Sequence, residues 1–125
     1  ALAGLANPEL QMVAIDPFMD KNEGTSYAAA LHNFETFGIR EQVQLIQGKS
    51  NDYAWNKNFD GIFVDGDHEP ETVLDDLQHA KKRATKFILF HDMDDPQVAK
   101  VVKKNMQDWH KVASSERIAV YEPIR

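Results

Sequence analysis

The sequence predicts an α/β fold: a mostly parallel sheet with helices on both faces and a C-terminal antiparallel hairpin. Short apolar runs of strand length alternate with amphipathic stretches of helical length, which is the pattern of crossover units. Two of those runs, Gly61-Ile62-Phe63-Val64 and Phe87-Ile88-Leu89-Phe90, are continuously apolar, as buried strands are. Each delivers acid and histidine directly at its end, as Asp65-Gly66-Asp67-His68 and as His91-Asp92. In open α/β sheets the carboxyl ends of the strands face the crevice where ligands bind, so the pair of motifs points to a site.

The elements follow in order. Gln11-Met12-Val13-Ala14-Ile15 is a short apolar strand closed by Asp16-Pro17, because proline continues neither helix nor ladder. Thr25 or Ser26 caps a helix with Tyr27, Ala30, Leu31 and Phe34 on one face, ending near Gly38. Val43 to Gln47 is a second strand, followed by the turn Gly48-Lys49-Ser50, and Gly61 to Val64 is a third. Pro70 suits a first helical turn, and Val73, Leu74, Leu77, Ala80 and Ala84 recur at helical spacing, so a helix spans about Glu69 to Ala84. Phe87 to Phe90 is the fourth strand. Pro96 opens a helix with Val98, Val101, Val102 and Trp109 inward, and Glu116 to Ile124 is a closing strand. Trp109 to Ala113 is its candidate hairpin partner, turned by Ser114-Ser115. Right-handed crossovers place Asp16, Gly48 to Ser50, Asp65 to His68, and His91-Asp92 along one sheet edge.

Composition bounds the function. A chain of 125 residues that is 42% hydrophobic suffices for a single domain, 1–125, with a real core. A formal charge of −6 and the absence of any basic block disfavour nucleic acid as a partner. Without cysteine, disulfides and thiolate zinc sites are excluded. No apolar run reaches ~18 residues and no basic-plus-apolar leader stands at the front, so the expectation is a cytoplasmic protein with no membrane partner.

Asp16 is placed to accept hydrogen bonds from ribose hydroxyls, or else is a turn residue with Pro17. Gly48-Lys49-Ser50 lets backbone approach a ligand, though glycine turns after strands are commonplace. Asp65, Asp67 and His68 put ionisable groups within four residues at the end of an apolar strand, a cluster that calls for a partner. Asp65 and Asp92 offer hard oxygen ligands to magnesium, while a His91 ligand shifts the choice toward manganese. The alternative makes His91-Asp92 a helix-entry turn, with Asp94 and Asp95 capping the helix at Pro96. His68 titrates near neutrality and suits the removal of a proton from a hydroxyl; otherwise it donates to Asp65 or Asp67 or is solvated.

Together, Ile15-Asp16-Pro17-Phe18, Gln47-Gly48-Lys49-Ser50, Phe63-Val64-Asp65-Gly66-Asp67-His68 and Leu89-Phe90-His91-Asp92 resemble class I S-adenosylmethionine-dependent methyltransferases. The similarity is to the small-molecule O-methyltransferase branch, with its macrocin-type and catechol-type members. It implies a Rossmann-like fold and methyl transfer from S-adenosylmethionine to a hydroxyl of a small molecule, with Mg or Mn as an assisting ion. By that resemblance Asp16 binds the ribose, Pro17 and Phe18 flank the adenine, and Gly48, Lys49 and Ser50 lie by its edge. Asp65 serves both cofactor and catalysis and matches the first metal carboxylate, with His91 and Asp92 matching the pair after the next strand. His68 stands where catechol-type relatives carry a lysine, and so takes the role of general base.

The chain departs from the family in two ways. His91 replaces a carboxylate, and the family's first strand and glycine-rich loop have no counterpart, so Ala1 to Ala6 read as the end of the helix after that loop. The domain is then either an N-terminally incomplete piece of a longer protein or a degenerate relative. A non-catalytic Rossmann-like module acting in assembly or interaction is the competing reading, and a metal-loaded hydroxylase-like relative a third. The methyl acceptor and the oligomeric state, a homo-oligomer included, are not fixed by the residues.

Overall fold

The computed structural model describes residues 9, 11–16, 27–38, 40–66 and 68–124, without the side chains of Asp16 and Tyr27. Thr25, Ser26, Pro17, Phe18 and Asp67 therefore lie outside the described residues. The chain divides into two compact units, Ala1–Tyr53 and Ala54–Arg125.

In the first unit, strand β1 (Met12–Asp16) pairs in parallel with β2 (Val43–Gln47), and Asp16 stands opposite Gln47. Parallel neighbours need a crossover, and helix α1 (Tyr27–Thr36) supplies it, packing against β2. Its partly buried residues Ala30, Leu31 and Phe34 recur at helical spacing, as the sequence pattern requires. The helix stops at Gly38, whose φ of 71° is the left-handed conformation that glycine adopts without penalty. There the Gly38 amide donates to the Glu35 carbonyl at 3.1 Å.

The second unit is built on a four-stranded sheet in the order β3-β4-β6-β5, comprising β3 (Phe59–Val64), β4 (Ala84–Phe90), β5 (Trp109–Ser114) and β6 (Ala119–Pro123). β3 and β4 run parallel; β4–β6 and β5–β6 are antiparallel, the last pair being the expected hairpin. Helix α2 (Pro70–Arg83) is the crossover between β3 and β4, and α3 (Pro96–Asn105) packs beside it. Val73, Leu77 and Ala80 of α2 and Val98 and Val102 of α3 close over Ile88, Phe90, Ala119 and Tyr121. Both helices thus share one face of this sheet. Phe90, Leu77, Ile88, Met106 and Val102 are the largest fully buried side chains, and the Phe90 and Tyr121 rings meet edge to face at 5.8 Å.

Several boundaries differ from the sequence reading. β3 begins at Phe59 rather than Gly61, and β6 runs Ala119–Pro123 rather than from Glu116 to Ile124, because the Ser115 amide bonds to the Ile118 carbonyl and closes the turn there. Ala84 is not the last inward position of α2 but the first residue of β4: its amide still bonds to the Ala80 carbonyl, while its own φ and ψ are already extended. The fourth strand consequently begins three residues before Phe87. Trp109 does not belong to the face of α3, which ends at Asn105, but opens β5. Lys81 marks the ends of both helices, donating to the Asn105 carbonyl at 3.0 Å and to Asp108 Oδ1 at 2.7 Å.

The other face of the sheet carries a tight contact at Gly61, which pairs with Phe87. A Cβ there would run into the Phe87 ring. Gly61→Ala is therefore expected to lower unfolding free energy by about 1 kcal/mol, the low end of overpacking, because the exposed Phe87 ring can turn aside. In the Phe87→Ala background the same change should cost less than half as much by urea denaturation, and an equal cost would refute the contact as the cause.

Candidate functional site

The register of β3 and β4 builds the site in the second unit. Val64 stands opposite Phe90, so the next residues, Asp65 and His91, leave the sheet side by side. The His91 amide donates to the Val64 carbonyl at 3.1 Å, extending the pairing one step beyond the strands. Its imidazole Nδ1 then lies 3.3 Å from Asp65 Oδ1 and 3.0 Å from Asp92 Oδ1. That nitrogen is buried and has no properly directed hydrogen bond. A buried polar atom without a partner is costly, and one facing two carboxylates is poised for a cation.

Asp92 has a φ of 60°, a left-handed conformation that aspartate tolerates better than most residues but which still costs energy. The Asp95 amide bonds to the Asp92 carbonyl at 3.0 Å, making the turn into α3, and the Asp95 carboxylate caps the helix by accepting from the Gln97 amide at 2.9 Å. Capping by Asp95 agrees with the sequence reading. Asp92 Oδ1 accepts from Arg117 Nη2 at 3.2 Å, and Oδ2 lies 3.0 Å from His68 Nε2. The other His68 nitrogen, Nδ1, is 2.8 Å from Asp95 Oδ2. Carboxylates only accept, so both contacts are satisfied together when both ring nitrogens carry protons.

The charges respond accordingly. The close His91 imidazole, with smaller contributions from His68 and Arg117, holds the Asp92 carboxyl well below the usual carboxylate range. Partial burial, reinforced by the neighbouring Asp92, pushes Asp65 up. The hydrogen bond to Asp92, helped by Asp95, pushes His68 up despite the opposing effect of desolvation. A space of about 10 Å³, close to what one water molecule occupies, lies among Asp65, His68, His91 and Asp92 above Val98.

Asp65, His91 and Asp92 each present one donor atom, all within 4.8 Å of one another. Two carboxylates and an imidazole with an unsatisfied nitrogen are a donor set that fits a divalent cation, and the imidazole favours manganese over magnesium.

In the first unit, the register of Asp16 with Gln47 sets Asp16 beside the turn that begins at Gly48. The Lys49 amide donates to Asp52 Oδ2 at 3.0 Å, and Ser50 opens a single helical turn, Ser50–Asp52. Among the described residues a Cβ on Gly48 would meet only Asp52, at ordinary contact distances of 3.6 Å and beyond. Packing against the described residues therefore does not demand glycine there. The structure thus groups Asp16, Gly48, Lys49 and Ser50 at one strand edge and Asp65, His68, His91 and Asp92 at another.

Two participants escaped the sequence reading, the His68 partner Asp95 and the Asp92 partner Arg117. The antiparallel register pairs Phe90 with Ala119, so two steps further Asp92 meets Arg117. A hairpin register read from the sequence was the one signal that could have found it.

This architecture, parallel strands with crossover helices and a closing antiparallel hairpin, is the class I methyltransferase type. A family model described as "Methyltransferase domain" matches residues 1–93, and the chain belongs to that family. No curated protein matches it. Among solved structures, the O-methyltransferase NovP superposes with a TM-score of 0.74 at 15% identity, covering 99% of this chain and 64% of its own. Cofactor-bound Rv0187 from MTB gives 0.67 at 17%, covering 94% and 63%. The O-methyltransferase TomG from Streptomyces achromogenes, in complex with SAM, gives 0.66 at 14%, covering 94% and 64%. The chain thus spans slightly less than two thirds of these relatives, and at such identities the likeness is one of fold. Among the described residues no helix is long and apolar enough to cross a membrane.

The raised Asp65 has a consequence for stability. A carboxyl whose folded pKa exceeds its unfolded value favours folding fully only below that unfolded value, and the benefit is lost as pH rises through the folded pKa. Asp65→Asn should therefore raise the thermal midpoint at pH 7, with the gain vanishing below about pH 3.9. A lower midpoint at pH 7 in differential scanning calorimetry would contradict this.

Proposed function

We propose that the protein is a methyltransferase that moves the methyl group of S-adenosylmethionine to a hydroxyl oxygen of a small molecule. The observation that carries this reading is the Asp65–His91–Asp92 cluster at the paired ends of β3 and β4, in a chain of methyltransferase family and fold. The sulfonium methyl carbon forms a bond to the acceptor oxygen as its bond to sulfur breaks, the electron pair remaining on sulfur as a thioether. The hydroxyl proton must leave, and in the cation-free site Asp65 takes it: its carboxylate is partly exposed and biased toward holding a proton. In-line alignment of acceptor and sulfonium provides most of the remaining rate.

His68 is assigned a different part from the base expected of it. With both nitrogens facing carboxylates, it orients Asp92 and ties that residue to the cap of α3. A divalent cation held by Asp65, His91 and Asp92 would polarise the acceptor oxygen as a Lewis acid. At the other strand edge Asp16 accepts the ribose hydroxyls and the Gly48-Lys49-Ser50 turn borders the adenine. The protein acts without nucleic acid or membrane as partner and resides in the cytoplasm.

Calorimetry with S-adenosylhomocysteine tests this. Micromolar binding is expected, weakened at least tenfold by Asp16→Ala through loss of charge-assisted hydrogen bonds. If the unaltered protein shows no binding heat at millimolar ligand, the reading fails.

A further inference from the structure

We propose that Arg117 is a positioning residue for the cation site: from the turn of the β5–β6 hairpin it fixes the Asp92 carboxylate in place for a divalent ion. The inference rests on the reading of Asp65, His91 and Asp92 as cation ligands, and it concerns a residue of the hairpin turn far away in sequence.

Three contacts join this turn to the loop after β4. Arg117 Nη2 donates to Asp92 Oδ1 at 3.2 Å, and Arg117 Nε lies 3.7 Å from Asp94 Oδ2. The Arg117 carbonyl accepts from the Met93 amide at 2.9 Å. Side chain and backbone of one residue therefore engage three consecutive residues, Asp92, Met93 and Asp94. The turn is itself closed by the Ser115 amide bonding to the Ile118 carbonyl at 2.9 Å, and the pairing of Phe90 with Ala119 sets its height above the sheet.

The loop needs such a restraint. Asp92 sits in a left-handed conformation that the chain does not favour, and its two oxygens are pulled apart by His68 on one side and by Arg117 with His91 on the other. Removing Arg117 takes from Oδ1 its hydrogen-bond donor and leaves the His91 nitrogen at 3.0 Å beside it. The guanidinium spans two carboxylates with separate N–H groups held in one plane, which an ammonium cannot reproduce. The Arg117 side chain is 58% exposed, so its ion pairs add little to global stability. Its effect falls on the position of Asp92, and partners that orient metal ligands typically govern affinity by tenfold to a hundredfold.

The test is titration of the protein with Mn²⁺ alone, followed by electron paramagnetic resonance, with thermal midpoints from circular dichroism on the same samples. Asp92→Asn should abolish tight binding. Arg117→Ala should weaken it about tenfold while the midpoint stays within the small range typical of surface changes, and Arg117→Lys should fall between the two. Affinity for Mn²⁺ that is equal or tighter in Arg117→Ala would overturn the inference, showing that the guanidinium merely competes with the ion. Equal affinity in Arg117→Lys and Arg117→Ala would also overturn it, since the charge and reach of the side chain would then be irrelevant. An unaltered protein that binds no Mn²⁺ would remove the cation reading itself and this inference with it, whereas binding insensitive to Arg117 would remove the inference alone.

Discussion

The parallel pairing of β3 with β4 is the constraint on which the rest depends. Because Val64 stands opposite Phe90, the residues that follow each strand emerge as neighbours, and Asp65 meets His91 without either being in a regular element. A shift of one residue in that register would turn Ile88 and Phe90 out of the core and carry Asp65 away from the imidazole. The register is itself locked by the core. Ile88 and Phe90 are both fully buried beneath α2 and α3, and Phe90 is wedged against Tyr121 of the next strand.

That arrangement has an electrostatic cost. Asp65, Asp92, Asp94 and Asp95 crowd the ends of two strands, and the chain answers with His68, His91 and Arg117. The compensation is uneven: Asp92 receives most of it and stays strongly ionised, whereas Asp65 is drawn toward its neutral form. A pair of neighbouring carboxyl groups whose proton affinities are pushed apart is the usual arrangement when one anchors and the other exchanges a proton. The strained backbone at Asp92 belongs to the same pattern, since unfavourable local conformations persist where the surroundings over-determine them.

Much of the fold was legible because apolar runs and helix signals agreed. Pro70 and Pro96 marked helix starts that the structure places at those residues, Gly38 marked a helix end, and the hairpin followed from two short runs around Ser114-Ser115. Ala84 and Trp109 were misplaced because alanine and tryptophan fit the apolar spacing of a helix as readily as the start of a strand. At the site, the strand-end rule brought out Asp65, His68, His91 and Asp92. Their roles were less legible, since a linear pattern does not show that Asp95 lies across from His68, or that a hairpin turn brings Arg117 to Asp92. Those contacts arise from register and crossover geometry, which are tertiary properties.

The account joins a methyltransferase fold to a specific strand edge through one cluster of carboxylates and imidazoles. Hydrogen–deuterium exchange of the protein with and without S-adenosylhomocysteine tests that assignment most directly. Slowed exchange in the peptides covering 47–51, 64–68 and 90–94 is the predicted result. Unchanged exchange in all three segments at saturating ligand, or protection confined to the helix pair Pro70–Arg83 and Pro96–Asn105, would contradict it.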